Sequence, residues 1–187
     1  KRKKSVVLAV DKNNYYQSAA SVLRDPNNLD FRPKRNSALI DAGYNISAVD
    51  VPWKKSAITG QAQQLGKAPD IGPYEYGSNK YWIPGFKFER ASTPIPPLDA
   101  TQVKTDAALM WLGAYGVNKH HLYWSTDRED LETADIKSTA FKGAFDDAYN
   151  VYQFPKALSS GEKIYWRVDA LHTDKVIKGD VWWFVVE

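Results

Sequence analysis

Between residues 98 and 187 the apolar positions recur in short runs separated by turn residues. That pattern fits strands joined by tight connections and not strands alternating with helices. Seven strands are predicted: Thr101–Val103, Ala107–Leu112, His120–Ser125, Ala134–Lys137, Asn150–Phe154, Lys163–Leu171 and Asp180–Val186. Turns are predicted at 113–118, 125–130, 143–147, 159–161 and 173–179. At one place a short helix over Asp127–Lys137, with acidic residues near its start, is the alternative. Successive strand side chains point to opposite faces, so parity sorts them. Ile164, Trp166 and Val168 share the inner face with Leu122, Trp124, Trp182, Phe184 and Val186, and Trp111 joins Trp166 and Trp182 in the core. The opposite parity gathers Tyr123, Tyr165, Arg167 and Trp183, with His121, on one outer face if these three strands are neighbours.

The first half has weaker periodicity. Val6–Val10 predicts a short strand, 11–14 and 25–30 predict turns, and Ala19–Leu23 predicts a weak helical turn. Residues 37–40 form a buried short segment closed by Gly43. Pro69, Pro73, Pro84, Pro94, Pro96 and Pro97, interleaved with Gly72, Gly77 and Gly85, disfavour both helix and central strand, so 78–97 is predicted to be a linker. Trp53, Tyr81 and Trp82 are expected in loops that clamp it. So few strands in ninety residues would make a poor independent core, and this half is expected to complete a larger body.

Composition narrows the classes. The 187 residues suit one or two domains, and 43% hydrophobic with 13% aromatic content is too apolar for a disordered chain. No apolar run approaches the roughly 18 residues of a membrane helix. Lys1–Lys4 resemble the basic head of a secretory signal, but Val6–Val10 is too short for its apolar core. The absence of cysteine excludes disulfides, thiolate metal sites and a cysteine nucleophile. Residues 1–90 hold 15 Lys/Arg against 8 Asp/Glu, whereas 91–187 hold 10 against 14. The basic half suits a polyanion such as an acidic polysaccharide, with an ordinary solvated surface as the alternative. Nucleic acid is not expected, because no reading module accompanies the charge and the second half is negative.

Candidate chemistry is sparse. His120 and His121 face opposite ways on a strand, and His172 has only Asp174 at a ligand spacing, so no metal and no cofactor is expected. Asp25, Asn27, Asn28 and Asp30 supply closely spaced oxygens. Counted from Asp25, however, the sixth position is Asp30 and the twelfth Asn36, where a calcium loop needs glycine and a carboxylate. A turn is the expected role there, as it is for Asp146 and Asp147. No phosphate loop and no G-x-S-x-G string is present, and no catalytic residue is assigned. The outer face of Tyr123, Tyr165, Arg167 and Trp183 could stack on sugar rings and pair with their anionic groups, or could pack against a neighbouring domain.

Two strings in the first half resemble secreted right-handed parallel β-helix proteins. The string D-P-N-N-L-D-F-R-P-K-R-N-S-A-L-I-D-A-G at 25–43 looks like their final-coil pattern, and A-P-D-I-G-P-Y-E-Y-G at 68–77 is similar to their closing P-D-I-G-A-Y-E motif. The second half resembles a bacterial fibronectin type III-like module. Its strings are A-S-T-P-I-P-P at 91–97, L-M-W at 109–111, H-H-L-Y-W-S-T-D at 120–127, I-Y-W-R-V-D-A at 164–170 and G-D-V-W-W-F at 179–184. One departure is Ile164, which stands six residues after Leu158 where the module has a corner tyrosine.

The resemblance implies an all-β chain. Residues 1–77 would be the terminal coils of a right-handed parallel β-helix, 78–97 a linker, and 98–187 a fibronectin III/immunoglobulin-like β-sandwich. It further implies the C-terminal accessory part of a secreted or cell-surface polysaccharide lyase or glycoside hydrolase. The partner would be the upstream β-helix portion, and the catalytic groove would lie in coils before residue 1. A non-catalytic adhesin or a glycan-binding module on the same scaffold is the alternative.

Overall fold

The computed structural model describes residues 15–43 and 64–187. The predicted strand at Val6–Val10, Trp53 and the lysines at 1–4, 54 and 55 lie outside the described residues. The regular elements of the described chain are mostly strands, with two short helices. In order its elements are α1 (Ala19–Val22), β1 (Leu23–Asp25), a 3-10 turn (Pro26–Asn28), β2 (Asp30–Pro33), β3 (Ser92–Ile95), β4 (Ala100–Val103) and β5 (Ala108–Leu112). They continue with β6 (Lys119–Ser125), α2 (Glu129–Thr133), β7 (Phe141–Asp146), β8 (Val151–Gln153), β9 (Lys163–Leu171), β10 (Val176–Ile177) and β11 (Trp182–Val186). No helix among the described residues is long and apolar enough to cross a membrane.

Two sheets share a core. One has the order β3-β5-β8 and the other β4-β11-β9-β6-β7, with β10 beside β9. All pairs in them are antiparallel except β4 with β11. Leu109 and Trp111 of the small sheet meet Leu122, Ile164, Trp166, Val168, Trp182 and Phe184 of the large one, and all eight are buried. The parity read along these strands therefore holds, and Trp166 packs edge-on against Trp182 at 4.7 Å. Ile164 fills the core, and Tyr165 lies on the outer side of the same strand.

Four expectations need correction. Ala134–Lys137 is not a strand. The short helix ranked second there forms over Glu129–Thr133, with Glu129, Asp130 and Glu132 in its first turn, where acidic groups meet the helix dipole favourably. The strand of this region is β7, which the glycine at 143 had suggested was a turn; Gly143 at φ 137° is a kink inside an edge strand beside a register shift. The proline-rich span 78–97 is not only a connection, because Ser92–Ile95 pairs with β5 as an edge strand, where a proline such as Pro94 is tolerated. β10 likewise forms within a predicted turn.

All five residues of β5 are buried. Leu109 and Trp111 fill the shared core, while Met110 and Leu112 on the other face pack with Ile95, Tyr74, Tyr81 and Ile83. The outer face of the small sheet is thus covered by the chain that precedes it. Tyr74 and Tyr81 stack at 4.3 Å and 13° within this cover.

Candidate functional site

The two strings of the first half meet in space. The Gly43 amide donates to the Pro69 carbonyl at 2.7 Å, and the Ile71 amide donates to the Leu39 carbonyl at 2.9 Å. Buried Asp70 accepts from the amides of Asp41 (2.8 Å) and Tyr76 (2.6 Å), and Asp41 accepts from the Ala68 amide at 3.0 Å. Glu75 accepts from the amides of Asp70 and Leu65, both at 3.0 Å, although burial raises its pKa. The acidic residues of the P-D-I-G-P-Y-E string therefore serve as acceptors that tie irregular backbone together, in a segment without a sheet to do so. Gly43 is required by proximity: a Cβ there would stand 2.6 Å from the Pro69 carbonyl oxygen.

The hairpin of β1 and β2 uses its charges internally. Arg32 donates to both oxygens of Asp30, at 2.8 and 2.6 Å, and Arg24 approaches the same carboxylate at 3.5 Å. Asn28 donates to Asp25 at 2.8 Å, and the Lys104 amide donates to the same carboxylate at 3.3 Å. The carboxylates of Asp25 and Asp30 are thus spent on guanidinium and amide donors, and the segment between them is a 3-10 turn. Among the described residues no group of three His, Cys, Asp or Glu is placed to hold a metal. Arg24 and Arg32, which belong to the basic half, are paired in this way, and the Lys34 ammonium donates to the Ala20 carbonyl.

A second polar knot joins the hairpin to the sandwich. The Tyr81 hydroxyl donates to the Leu29 carbonyl at 2.6 Å and accepts from the Phe31 amide at 3.1 Å; burial raises its pKa, although the Phe31 amide works the other way. The Tyr81 backbone is held by the Asn150 side chain, which accepts from its amide and donates to its carbonyl, both at 2.8 Å. Asn150 also donates to the Trp111 carbonyl at 2.7 Å. Tyr81 was expected to clamp a linker; it clamps the hairpin to the sheet. Trp82 beside it is 43% exposed.

The outer face of the large sheet gathers the four predicted residues. Tyr123 lies opposite Arg167 and Tyr165 opposite Trp183, on the adjacent strands β6, β9 and β11. It does not leave them equally available. Tyr123 and Arg167 are 3% and 1% exposed, because the stretch from α2 to β7 lies over them through Leu131 and Ala140. Arg167 donates to Asp169 at 2.9 Å and to the Ala134 carbonyl at 2.7 Å, and its guanidinium sits 4.4 Å from the Tyr123 ring centre. Asp169 also accepts from the Gly179 amide at 2.9 Å, so the pair pins both α2 and the β10–β11 loop. Burial raises the Tyr123 pKa. Arg167 and Tyr123 are packing residues, and only half-buried Tyr165 and Trp183 remain for a ligand.

Lys163 completes that remainder, with its ammonium 3.6 Å from the Trp183 ring centre and 5.2 Å from Tyr165. Its parity along β9 matches Tyr165 and Arg167, which was the available signal for it. The adjoining open cleft is lined by Asp127, Glu129 and Glu132 against a single Arg128. That balance disfavours an anionic group at this place. Residues 74–83 pack from outside on the other sheet and not on this face. No protein-family model matches the chain, and no curated protein matches it significantly.

Proposed function

We propose that the chain is the C-terminal structural portion of an extracellular polysaccharide-degrading protein. Residues up to 77 would be the last coils of a right-handed parallel β-helix, and the sandwich a fibronectin type III-like module that supports them. The observation that carries this reading is the mutual clasp of the two strings at 25–43 and 68–77, docked through Tyr81 and Asn150 onto the small sheet. Terminal coils need such an arrangement, because each coil buries its inner face only against a neighbour. The order β3-β5-β8 facing β4-β11-β9-β6-β7 supports the fibronectin-like part.

In this role the chain contributes no catalytic residue; the carboxylates of Asp25, Asp30, Asp41, Asp70 and Glu75 serve the fold. The test is to assay the 187-residue chain, and the same chain preceded by its natural upstream coils, on acidic and neutral polysaccharides for new reducing ends and unsaturated products. Turnover only by the longer protein supports the proposal, whereas turnover by the 187 residues alone refutes it. A second reading, glycan contact by the sandwich, rests on the half-exposed Tyr165 and Trp183; the carboxylates beside them favour a neutral glycan.

A further inference from the structure

We propose that the junction between residues 86–90 and the sandwich is an acid-operated release, in which neutral His120 holds the 113–118 loop closed and protonation of its ring frees both loop and junction. This goes beyond the polysaccharide reading and does not depend on it.

The His120 ring is 1% exposed and its Nε2 accepts from the Ala114 amide at 2.9 Å. Acceptance at Nε2 places the ring proton on Nδ1, which is buried and has no hydrogen-bond partner. A second proton can enter only at Nε2. That converts the acceptor into a donor facing an N–H, and the Ala114 bond is lost.

The loop that contains Ala114 holds the junction by a backbone bond. The neighbouring Tyr115 amide donates to the Phe88 carbonyl at 2.7 Å, and the Asp147 amide donates to Asn118 at 2.9 Å. Among the described residues, 86–90 is also held by Lys87 with Asp147 at 3.0 Å, exposed Arg90 with Asp180 at 2.8 Å, and the His172 Nε2 with the Glu89 carbonyl at 2.9 Å. Exposed and half-exposed ion pairs contribute little.

The charged groups facing His120 come from three other elements. Asp147, before β8, favours the cation; Lys87, in the junction, and His172, after β9, oppose it. Lys87 is bound to Asp147 and offsets it, so burial decides, and the ring pKa is lowered to about 4. With the loop open the ring returns to an ordinary value of about 6.5. Opening therefore takes up a proton between those two values, and its equilibrium constant rises about tenfold per pH unit of acidification.

The test is hydrogen exchange of the full 187-residue chain from neutral pH to pH near 4, corrected for intrinsic rates, with the His120 ring followed by NMR in the same samples. The expected result is loss of protection at Ala114 and Tyr115, about tenfold per pH unit, while Leu122 and Val168 stay protected. His120→Gln, whose amide oxygen can accept from Ala114 without titrating, should flatten that response. Two results would overturn the proposal: protection at Ala114 and Tyr115 that stays constant from about pH 6.5 down to 4, or an acid response in His120→Gln equal to the unmodified chain's. Should the variant fail to fold, the rise of exchange at Ala114 and Tyr115 between about pH 6.5 and the ring's own titration near 4 decides alone in the unmodified chain, and its absence is fatal to the idea.

Discussion

Asn150→Ala removes three buried hydrogen bonds of 2.7 to 2.8 Å at one stroke. Asn150 is 8% exposed, so the Tyr81 amide, the Tyr81 carbonyl and the Trp111 carbonyl cannot all turn to water without opening the contact. An orphaned buried group costs about 1–3 kcal/mol, and partial relaxation makes a total of about 3 kcal/mol reasonable. For a chain of this size that corresponds to a fall in Tm of about 6–12 °C. Asn150→Asp should be worse at neutral pH, because a carboxylate would face two carbonyl oxygens without a donor between them. Gln153→Ala is the control: its side chain also makes two backbone bonds, both 3.1 Å, but the residue is exposed, and its loss should stay below about 1 kcal/mol. Thermal and urea melts of the three variants read the difference. If Asn150→Ala lies within about 0.5 kcal/mol of the unmodified chain, the knot does not hold the hairpin to the sheet.

Other expectations are independent of that one. Gly43→Ala should destabilise the clasp by about 1–3 kcal/mol, since the new Cβ would meet the backbone of Pro69 and no side chain can swing aside; faster proteolysis between 39 and 71 would report it. Arg167→Ala leaves Asp169 buried without its cation and should cost about 3–5 kcal/mol in a urea melt; an unchanged melt would return Arg167 to the pool of ligand contacts. Trp183→Ala should change stability by less than about 1 kcal/mol, losing chiefly the contact with Lys163. If it abolishes retention on a neutral polysaccharide gel while the melt is preserved, glycan contact by the sandwich gains over a purely structural role. Stability should fall as pH drops from about 6.5 towards 4, because the unfolded chain binds the His120 proton first; the loss reaches about 3 kcal/mol, and a melt series that stays flat over that range contradicts it.

What could be read in advance followed period two. Lys163–Leu171 was delimited at both ends, and the inner set of Trp166, Trp182 and Phe184 came from parity alone, because a sheet buried on one side writes its faces into the sequence. The outer face was assembled correctly from the same parity, but its covering was invisible. Leu131 is one apolar residue in a five-residue helix, too short for a helical period, so nothing along the chain announced that it would bury Tyr123 and Arg167. The first half was illegible for a different reason. Its order comes from Asp25, Asp30, Asp41, Asp70 and Glu75 binding amides and guanidiniums, and such contacts have no repeat spacing. The β5 run A-L-M-W-L, buried on both sides, did carry the hint that something covers the small sheet from outside.

The role proposed for the chain requires that clasp, hairpin and sandwich respond as one body. Native-state hydrogen exchange at the Phe31 and Tyr81 amides measures this most directly, because the first is bound by the Tyr81 hydroxyl and the second by Asn150. The account predicts that both exchange only through the opening that also exposes Leu109 and Val168 in the shared core, with equal opening free energies. Exchange of Phe31 and Tyr81 through a separate, low-energy opening, with the sandwich core still protected, would contradict it.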